Sequence, residues 1–227
     1  MTIKPIRHLA VLCHPKQGSF NHQIAETYCE TVREFGQEVL LRDLYALRFD
    51  PVLEYEGQVP ELRLLDDLME VRQCDVLTFI YPIWFGLPPA MIKGYVDRVL
   101  GAGFKPTKDK LRADSPFLHG KRMLSITTSA STEAWLAEQG QLISLREGFD
   151  RYLATIFGLA RAERVHLDSI VPEMKAFYAK EQLERVREAT RAMCADALNA
   201  AHRKEMGGVT SRQPADEAGT DEDGEAS

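Results

Sequence analysis

Short apolar runs alternate along this chain with longer stretches of helical periodicity. The runs are rich in β-branched and aromatic residues and are bounded by Pro, Gly or polar positions, a profile typical of strands buried on both faces. Pro82, for example, directly follows the third run. Five strands are predicted, at Arg7–Cys13, Glu38–Arg42, Asp75–Tyr81, Lys121–Thr127 and Arg164–Leu167.

The segments between these runs place apolar residues three and four positions apart, which favours helices with one buried face. In the first of these segments, Ser19 or Asn21 is suited to cap the exposed N–H groups, and Gly36 is suited to end the helix. Helices are predicted at Asn21–Phe35, Pro60–Gln73, Pro88–Leu100, Gln141–Phe157 and Glu173 to about Arg203.

The alternation of strands with helices predicts right-handed βαβ units, and therefore a parallel sheet covered by helices on both faces. Residues 1–203 are long enough for one well-buried α/β domain of this kind. Residues 204–227 are poor in large apolar side chains and rich in acidic ones. We predict that they form an acidic flexible C-terminal tail.

The distribution of charge along the chain excludes two classes of function. The net charge of the 227 residues is −6, and the tail with its two basic and seven acidic residues accounts for −5 of it. The domain of residues 1–203 is therefore nearly neutral, which argues against binding to the phosphate backbone of nucleic acids. It argues equally against a strongly acidic electron carrier.

The cysteines and the apolar runs indicate the compartment. The four cysteines show no CxxC spacing, the N-terminus has no apolar segment of signal-peptide length, and no apolar run approaches the roughly 20 residues that would span a membrane. A cytoplasmic protein with reduced thiols is predicted, with no integral membrane segment and at most peripheral membrane contact.

Three loops are the candidate ligand site, because ligands of open parallel sheets bind beyond the carboxyl ends of the strands. The first loop, His14–Asn21, brings small and hydroxyl residues to a helix N-terminus, a place that favours a phosphate. It matches neither GxGxxG nor GxxxxGK, so Rossmann and P-loop fingerprints are lacking. The alternative is that Ser19 serves only as a helix cap.

The second loop, Pro82–Leu87, places Trp84 and Phe85 directly after a buried strand. Two large aromatic side chains at this position can form a stacking wall for a planar ring system, whose edge the backbone N–H groups of the same turn would hold. The alternative is that they pack under a neighbouring helix or in a subunit interface. The third loop, Thr127–Ser131, follows the fourth strand.

Taken together and in this order, several segments resemble the flavodoxin-like NAD(P)H:quinone oxidoreductases, a family that includes the bacterial drug-activity modulator and the potassium-efflux ancillary oxidoreductases. The resemblance covers more than half of the chain. It implies a flavodoxin-like, doubly wound five-stranded parallel sheet in the order 2-1-3-4-5. The segments are Leu9–His14, Ser19–Asn21, Asp43–Tyr45, Tyr81–Gly86, Pro89–Val99 and Leu124–Thr128.

The resemblance further implies a flavin-dependent NAD(P)H oxidoreductase, with FAD or alternatively FMN as cofactor and NAD(P)H as co-substrate. Hydride would pass to a quinone-like acceptor by a ping-pong mechanism, in a homodimer with the site at its interface. The flavin phosphate and ribityl chain would be held by His14, Ser19, Phe20 and Asn21. The ring system would be flanked by Pro82, Ile83, Trp84 and Phe85, with Thr127 and Thr128 on its opposite side.

The chain departs from the family after Thr127 and Thr128, the Thr pair, where better-known members carry a Tyr and a His thought to assist hydride transfer. Trp135 and Gln141 fall near those places, and neither titrates near neutral pH. A proton relay therefore does not carry over, and the flavin itself would supply the chemistry. Ser129 and Ala130 also replace the usual glycines.

Two other functions remain open at this point. One is an FMN-dependent reductase of azo or nitro compounds on the same fold. The other is a flavin-binding regulatory subunit that senses the nicotinamide redox state for a transporter, an idea favoured by the missing Tyr and His. No metal site is predicted.

Overall fold

A five-stranded parallel sheet forms the centre of the protein. In this computed structural model the described residues are 4–54, 62–102 and 118–210. The strands run in the order β2-β1-β3-β4-β5, and all neighbouring pairs are parallel, which confirms the predicted flavodoxin-like arrangement. They are β1 Arg7–Leu12, β2 Glu38–Asp43, β3 Val76–Pro82, β4 Arg122–Thr128 and β5 Arg161–Leu167.

Helices connect successive strands. The third helix continues as a π-helical segment at Val96–Leu100, and another π-helical segment, Arg146–Arg151, joins α5 to α6. None of the described helices is long and apolar enough to cross a membrane. The α-helices are α1 Phe20–Glu34, α2 Leu62–Gln73, α3 Ala90–Tyr95, α4 Glu133–Glu138, α5 Gln141–Leu145, α6 Tyr152–Phe157 and α7 Ala176–Thr210.

Three differences from the sequence predictions concern element bounds. Strand β5 begins at Arg161, three residues earlier than predicted, because its first half is a partly exposed edge strand without an apolar run. The helix α4 was not predicted. Helix α7 continues to Thr210, so the predicted tail boundary at Lys204 falls inside a helix, and residues 211–227 lie outside the described residues.

The core consists of two apolar layers, one on each face of the sheet. Strand β3 is buried along its whole length, as expected for the central strand. On one face Phe79 packs with Tyr95 of α3, and on the other Ile80 shares a cluster with Ile24 and Tyr28 of α1. Each such large side chain contributes roughly 1.5–3 kcal/mol by burial.

The strand register brings the three candidate loops to one edge. Leu12 pairs with Ile80, and Pro82 pairs with Thr128, so β1, β3 and β4 end within about two residues of one another. Parallel strands present their carboxyl ends on the same side. The sequence therefore determines the neighbourhood of the loops through strand order alone.

Candidate cofactor-binding site

The three candidate loops contact one another at the carboxyl edge of the sheet. Asn21 Nδ2 donates to Thr128 Oγ1 at 3.1 Å, which joins the first loop to the third. The Ile83 N–H donates to the Thr128 carbonyl at 2.7 Å, which joins the second to the third. The rings of His14 and Trp84 lie 6.3 Å apart between centroids, which joins the first to the second.

The N-terminus of α1 has no side-chain cap. Ser19 occupies the cap position, but its hydroxyl lies 2.8 Å from Nδ1 of His22 and makes no capping bond. The N–H groups of Phe20 and Asn21 donate to no atom of the residues that the structure describes. Free N–H groups at the positive end of a 15-residue helix favour an anion.

Two of the residues that the resemblance implies at the flavin phosphate and ribityl chain have buried side chains. The Phe20 ring is buried in the apolar cluster shared by α1 and α7, so only the Phe20 backbone can face a ligand. The Asn21 amide is buried and bonded to Thr128. At this helix start, the backbone therefore offers more donors than the side chains do.

His14 borders the first loop and bonds to its backbone. Its Nδ1 lies 3.1 Å from the Lys16 N–H and 3.2 Å from the Lys16 carbonyl oxygen. Partial burial lowers the pKa of His14; the hydrogen bond with the Lys16 backbone opposes this shift, and the nearby His22 and Lys16 side chains add to it. The lowered pKa disfavours a positive charge on this ring at the edge of the site.

The second loop is a tight turn that presents an aromatic side chain to solvent. Trp84 and Leu87 exchange two backbone hydrogen bonds of 3.0 Å, which closes a two-residue turn over Phe85 and Gly86. Both central residues have left-handed φ values, +50° and +78°. This pattern is that of a type I′ turn, whose central positions favour Gly, Asn or Asp over Phe. The Phe85 ring is fully exposed.

The Phe85 backbone therefore stores strain at the rim of the site, since a left-handed non-glycine residue costs about 1–3 kcal/mol. Its ring gains nothing from burial within one protomer. We expect Phe85→Gly to raise the free energy of unfolding by about 1 kcal/mol in urea titrations. Leu87→Gly, at another exposed position of the same turn but without positive φ, should lower it. A destabilised Phe85→Gly variant would contradict this interpretation of the turn.

The hydroxyls of the Thr pair face inward. Thr128 bonds to Asn21, while Thr127 Oγ1 lies 3.0 Å from Nδ1 of His166. Both threonines are buried. If this segment touches a flavin, as the resemblance implies, it does so through its backbone.

Behind the Thr pair lies a polar network that the sequence did not reveal. His166 bridges Thr127 and Ser129 with its two ring nitrogens, and Arg164 pairs with Asp150 while donating to Tyr81. These residues come from β3, β4 and the loop after it, β5 and the π-helical segment Arg146–Arg151, so no local spacing marks them. The only sequence signal is the presence of charged residues on elements expected to be buried.

The two weak catalytic candidates are placed differently. The Gln141 side chain lies against the second loop: a Cβ added at Gly86 would clash with Gln141 Oε1. Trp135 lies on α4, with its indole about half exposed. Pro82 is buried at the end of β3, and Ile83 is partly buried. Among the described residues, no cluster of His, Cys, Asp or Glu could hold a metal ion.

Sequence comparison relates the chain to a large family. A family model described as a flavodoxin-like fold matches residues 6–194. The NAD(P)H dehydrogenase (quinone) 1 of Cavia porcellus is 34% identical over 149 residues, which cover 55% of this chain and 54% of that protein. The chain thus spans about half the length of this curated relative.

Solved structures show the same fold. The NAD(P)H:quinone oxidoreductase from Methanothermobacter marburgensis superimposes with a TM-score of 0.69 at 24% identity, over 83% of this chain and 96% of that one. An FMN-dependent NADH-azoreductase from Bacillus anthracis, in complex with FMN, gives a TM-score of 0.61 at 15% identity, over 83% and 99%. At these identities the likeness concerns architecture alone.

Proposed function

The chain belongs to the family of proteins with a flavodoxin-like fold, and on that premise we propose that it is a flavin-dependent NAD(P)H oxidoreductase acting on quinones or related electrophilic aromatics. The observation that carries the proposal is the convergence of three loops at one edge of the sheet. They combine an uncapped helix start with an exposed aromatic turn. The 34% identity with a quinone-reducing enzyme supports the same reaction class.

The donor set fits a flavin. The free N–H groups of Phe20 and Asn21 would receive the phosphate, with the His14 ring beside it. Trp84 and Phe85 would flank the ring system. The N–H groups of Phe85 and Gly86, which donate to no atom in the described part of the chain, would meet the polar ring edge.

A bound flavin would supply the hydride transfer between NAD(P)H and the acceptor. The residues of the three loops would orient it, and their backbone N–H groups would stabilise the negative charge that the ring gains on reduction. In the proposed ping-pong mechanism, nicotinamide and acceptor would occupy the same face of the flavin in turn.

A second copy of the chain would complete the site. Phe85 and Leu87 of the second loop are exposed, as are Trp135 of α4 and Ile143 of α5. Large apolar side chains clustered around a ligand site are typical of an interface. We therefore include a homodimer, with the site at its interface, in the proposed function.

Absorption spectroscopy tests the proposal directly. Purified protein, incubated with FAD or FMN and then desalted, should retain a flavin spectrum that NADPH or NADH bleaches under anaerobic conditions. Addition of a benzoquinone should restore it within the mixing time. Acid release followed by mass measurement would identify the preferred flavin. Protein that stays colourless after incubation with both flavins would refute the proposal.

Trp84→Ala should weaken flavin binding about five- to tenfold, because a stacking face worth on the order of 1 kcal/mol beyond its buried area is removed. Fluorescence titration of flavin-free protein measures the dissociation constant. Phe35→Ala is the matched control, since this exposed ring follows the last residue of α1, at the helix end far from the site. Equal effects of both changes would assign Trp84 to packing alone.

The regulatory alternative has one observation in its favour. The segment after the Thr pair holds Trp135 and Gln141 where a titrating pair would assist turnover. Steady-state oxidation of NAD(P)H separates the two functions: an enzyme sustains many turnovers per second with a quinone, whereas a sensor reduces its flavin once and then turns over very slowly.

A further inference from the structure

A cavity of about 490 Å³ lies at the edge of the sheet, between strand β5, helix α7 and the segment from α4 to the π-helical residues Arg146–Arg151. Three arginines line it, each from a different element: Arg146 from the π-helical segment, Arg164 from β5 and Arg185 from α7. None of the lining residues belongs to the three candidate loops. We propose that this cavity is a second ligand site, which binds a small organic acid through its carboxylate.

Arg164 is a buried part of the lining that retains unengaged donors. Only about a tenth of its side chain is exposed. Nε donates to Asp150, and the two terminal nitrogens donate one N–H each, to Thr127 and to Tyr81. A guanidinium has five N–H donors, so two of those of Arg164 have no acceptor among the described residues. An acceptor atom inside the cavity would satisfy them.

Arg185 is a partly buried cation without a carboxylate partner. One N–H donates to Oε1 of Gln182 at 2.8 Å, and Gln182 is neutral and buried. No Asp or Glu of the described residues lies within ion-pair distance of the Arg185 guanidinium. A cation that has lost part of its hydration is stabilised by an anion beside it. The planar fork of a guanidinium matches a carboxylate in bidentate geometry, so a carboxylate is the group we expect here.

The other polar side chains of the lining contribute little to charge recognition. Burial lowers the pKa of His166 to about 4, so its ring is neutral, and its two nitrogens lie within hydrogen-bond distance of hydroxyls of the third loop. Glu133, Glu188 and Arg146 are exposed, so water screens their charges. An anion in the cavity would therefore interact mainly with the two less exposed guanidinium groups.

The rest of the lining is apolar, which favours an organic acid over an inorganic ion. A hydrocarbon body gains free energy by covering such a surface, whereas phosphate or chloride does not. The cavity volume lies within the range of roughly 300–1,000 Å³ that is typical of small-molecule sites. The apolar residues are Leu142, Ile143, Val165 and Ala189.

Calorimetric titration with 1-naphthoate tests the proposal. We expect saturable binding of one molecule per chain, with the same affinity before and after incubation of the protein with FAD, because the cavity is separate from the candidate loops. The uncharged isostere 1-naphthamide and inorganic phosphate should each bind at least about tenfold more weakly, since the first lacks the charge-assisted hydrogen bonds and the second lacks the apolar body.

Two variants address the cavity directly. Arg185→Gln should weaken 1-naphthoate binding about tenfold, because it removes the cation that has no carboxylate partner. Arg187→Gln is the matched control: Arg187 lies on the same helix, pairs with Glu184 and does not line the cavity, so its loss should leave the affinity unchanged. Ala189→Phe should abolish binding by filling the space, with circular dichroism as the check on folding.

Each outcome decides the proposal. Weaker binding in Arg185→Gln with unchanged binding in Arg187→Gln supports it, and this pair is sufficient if Ala189→Phe does not fold. Absence of binding at millimolar 1-naphthoate, equal affinity in Arg185→Gln, displacement by FAD, or phosphate binding as tight as that of 1-naphthoate would each overturn it. The titration does not require bound flavin, so the proposed function and this second site can fail independently.

Discussion

Asp150→Asn is expected to lower the free energy of unfolding by about 3 kcal/mol, the low end of the cost of breaking a buried ion pair. Asp150 is almost fully buried and pairs with Arg164, whose guanidinium is also largely buried. The Asn side chain keeps the shape but removes the charge. The Arg164 cation then remains in the protein interior without its counter-ion.

The surrounding hydrogen bonds explain why this loss is not recovered elsewhere. Asp150 accepts the hydroxyl of Ser125 at 2.7 Å, and Arg164 also donates to Tyr81 and Thr127 at 3.2 and 3.4 Å. These neighbours are neutral and cannot replace a carboxylate. Because Thr127 belongs to the third loop, the variant should also bind flavin more weakly.

Urea unfolding of the Asp150→Asn variant measures the effect, and Glu147→Gln is its matched control. Glu147 lies in the same π-helical segment and pairs with Arg151 in an exposed i,i+4 arrangement, a contact worth a few tenths of a kcal/mol. We expect a loss below 0.5 kcal/mol for the control, on the scale of surface pairs. Similar losses in both variants would show that burial does not strengthen the Asp150 pair.

Acid is expected to destabilise the protein steeply between pH 6.5 and 4. Burial lowers the pKa of both His8 and His166 from 6.5 to about 4, and the Arg164 charge adds to the effect at His166. Above pH 6.5 the rings are neutral whether the chain is folded or not. As pH falls through this window, the unfolded chain binds protons first, and each histidine removes up to about 3 kcal/mol.

The contacts of His8 show why its ring stays neutral. Nδ1 lies 2.6 Å from the hydroxyl of Tyr28, which in turn accepts the hydroxyl proton of Thr78. Tyr28 therefore donates to Nδ1, and the remaining proton on Nε2 goes to Gln37 at 2.7 Å. A second proton on the ring would have no acceptor, since the Tyr28 hydroxyl is already committed.

Urea titrations between pH 7.5 and 4.5 measure this dependence. Each buried histidine should contribute a slope of up to about 1.4 kcal/mol per pH unit, so His8→Gln should remove about half of the total. His202→Gln, at an exposed position of α7, should leave the slope unchanged. Stability that is flat down to pH 4.5 would mean that these rings are protonated in the folded state.

Strand order was predictable because it depends on apolar runs and on the alternation of strands with helices, both of which are visible in the sequence alone. The buried run at Val76–Pro82 is apolar regardless of its neighbours, and alternation with helices leaves few parallel topologies. The edge strand β5 was only half predicted, since an edge strand at Arg161–Leu167 need not be apolar. Helix α4 was missed because six residues are too short for a periodic signal.

The candidate site was likewise predictable only in part. Trp84 and Phe85 stood out because aromatic residues directly after a buried strand call for an explanation, and the structure places both at the loop edge. Ser19 and Thr127 were predicted to lie near the flavin, and this placement stays a prediction. Their hydroxyls lie within hydrogen-bond distance of two histidines, His22 and His166, that no spacing linked to them.

The sequence by itself therefore determined the sheet, the edge at which the loops gather and the aromatic turn, because hydrophobic periodicity and turn residues act over a few neighbours. Only the tertiary structure decided which hydrogen-bond donors remain free, because the partner of a hydroxyl or carboxylate is one of the groups that folding brings into contact with it. Asp43 and His22 are 21 positions apart along the chain, and Asp150 is 25 from Ser125. Contacts at such separations leave no periodic trace.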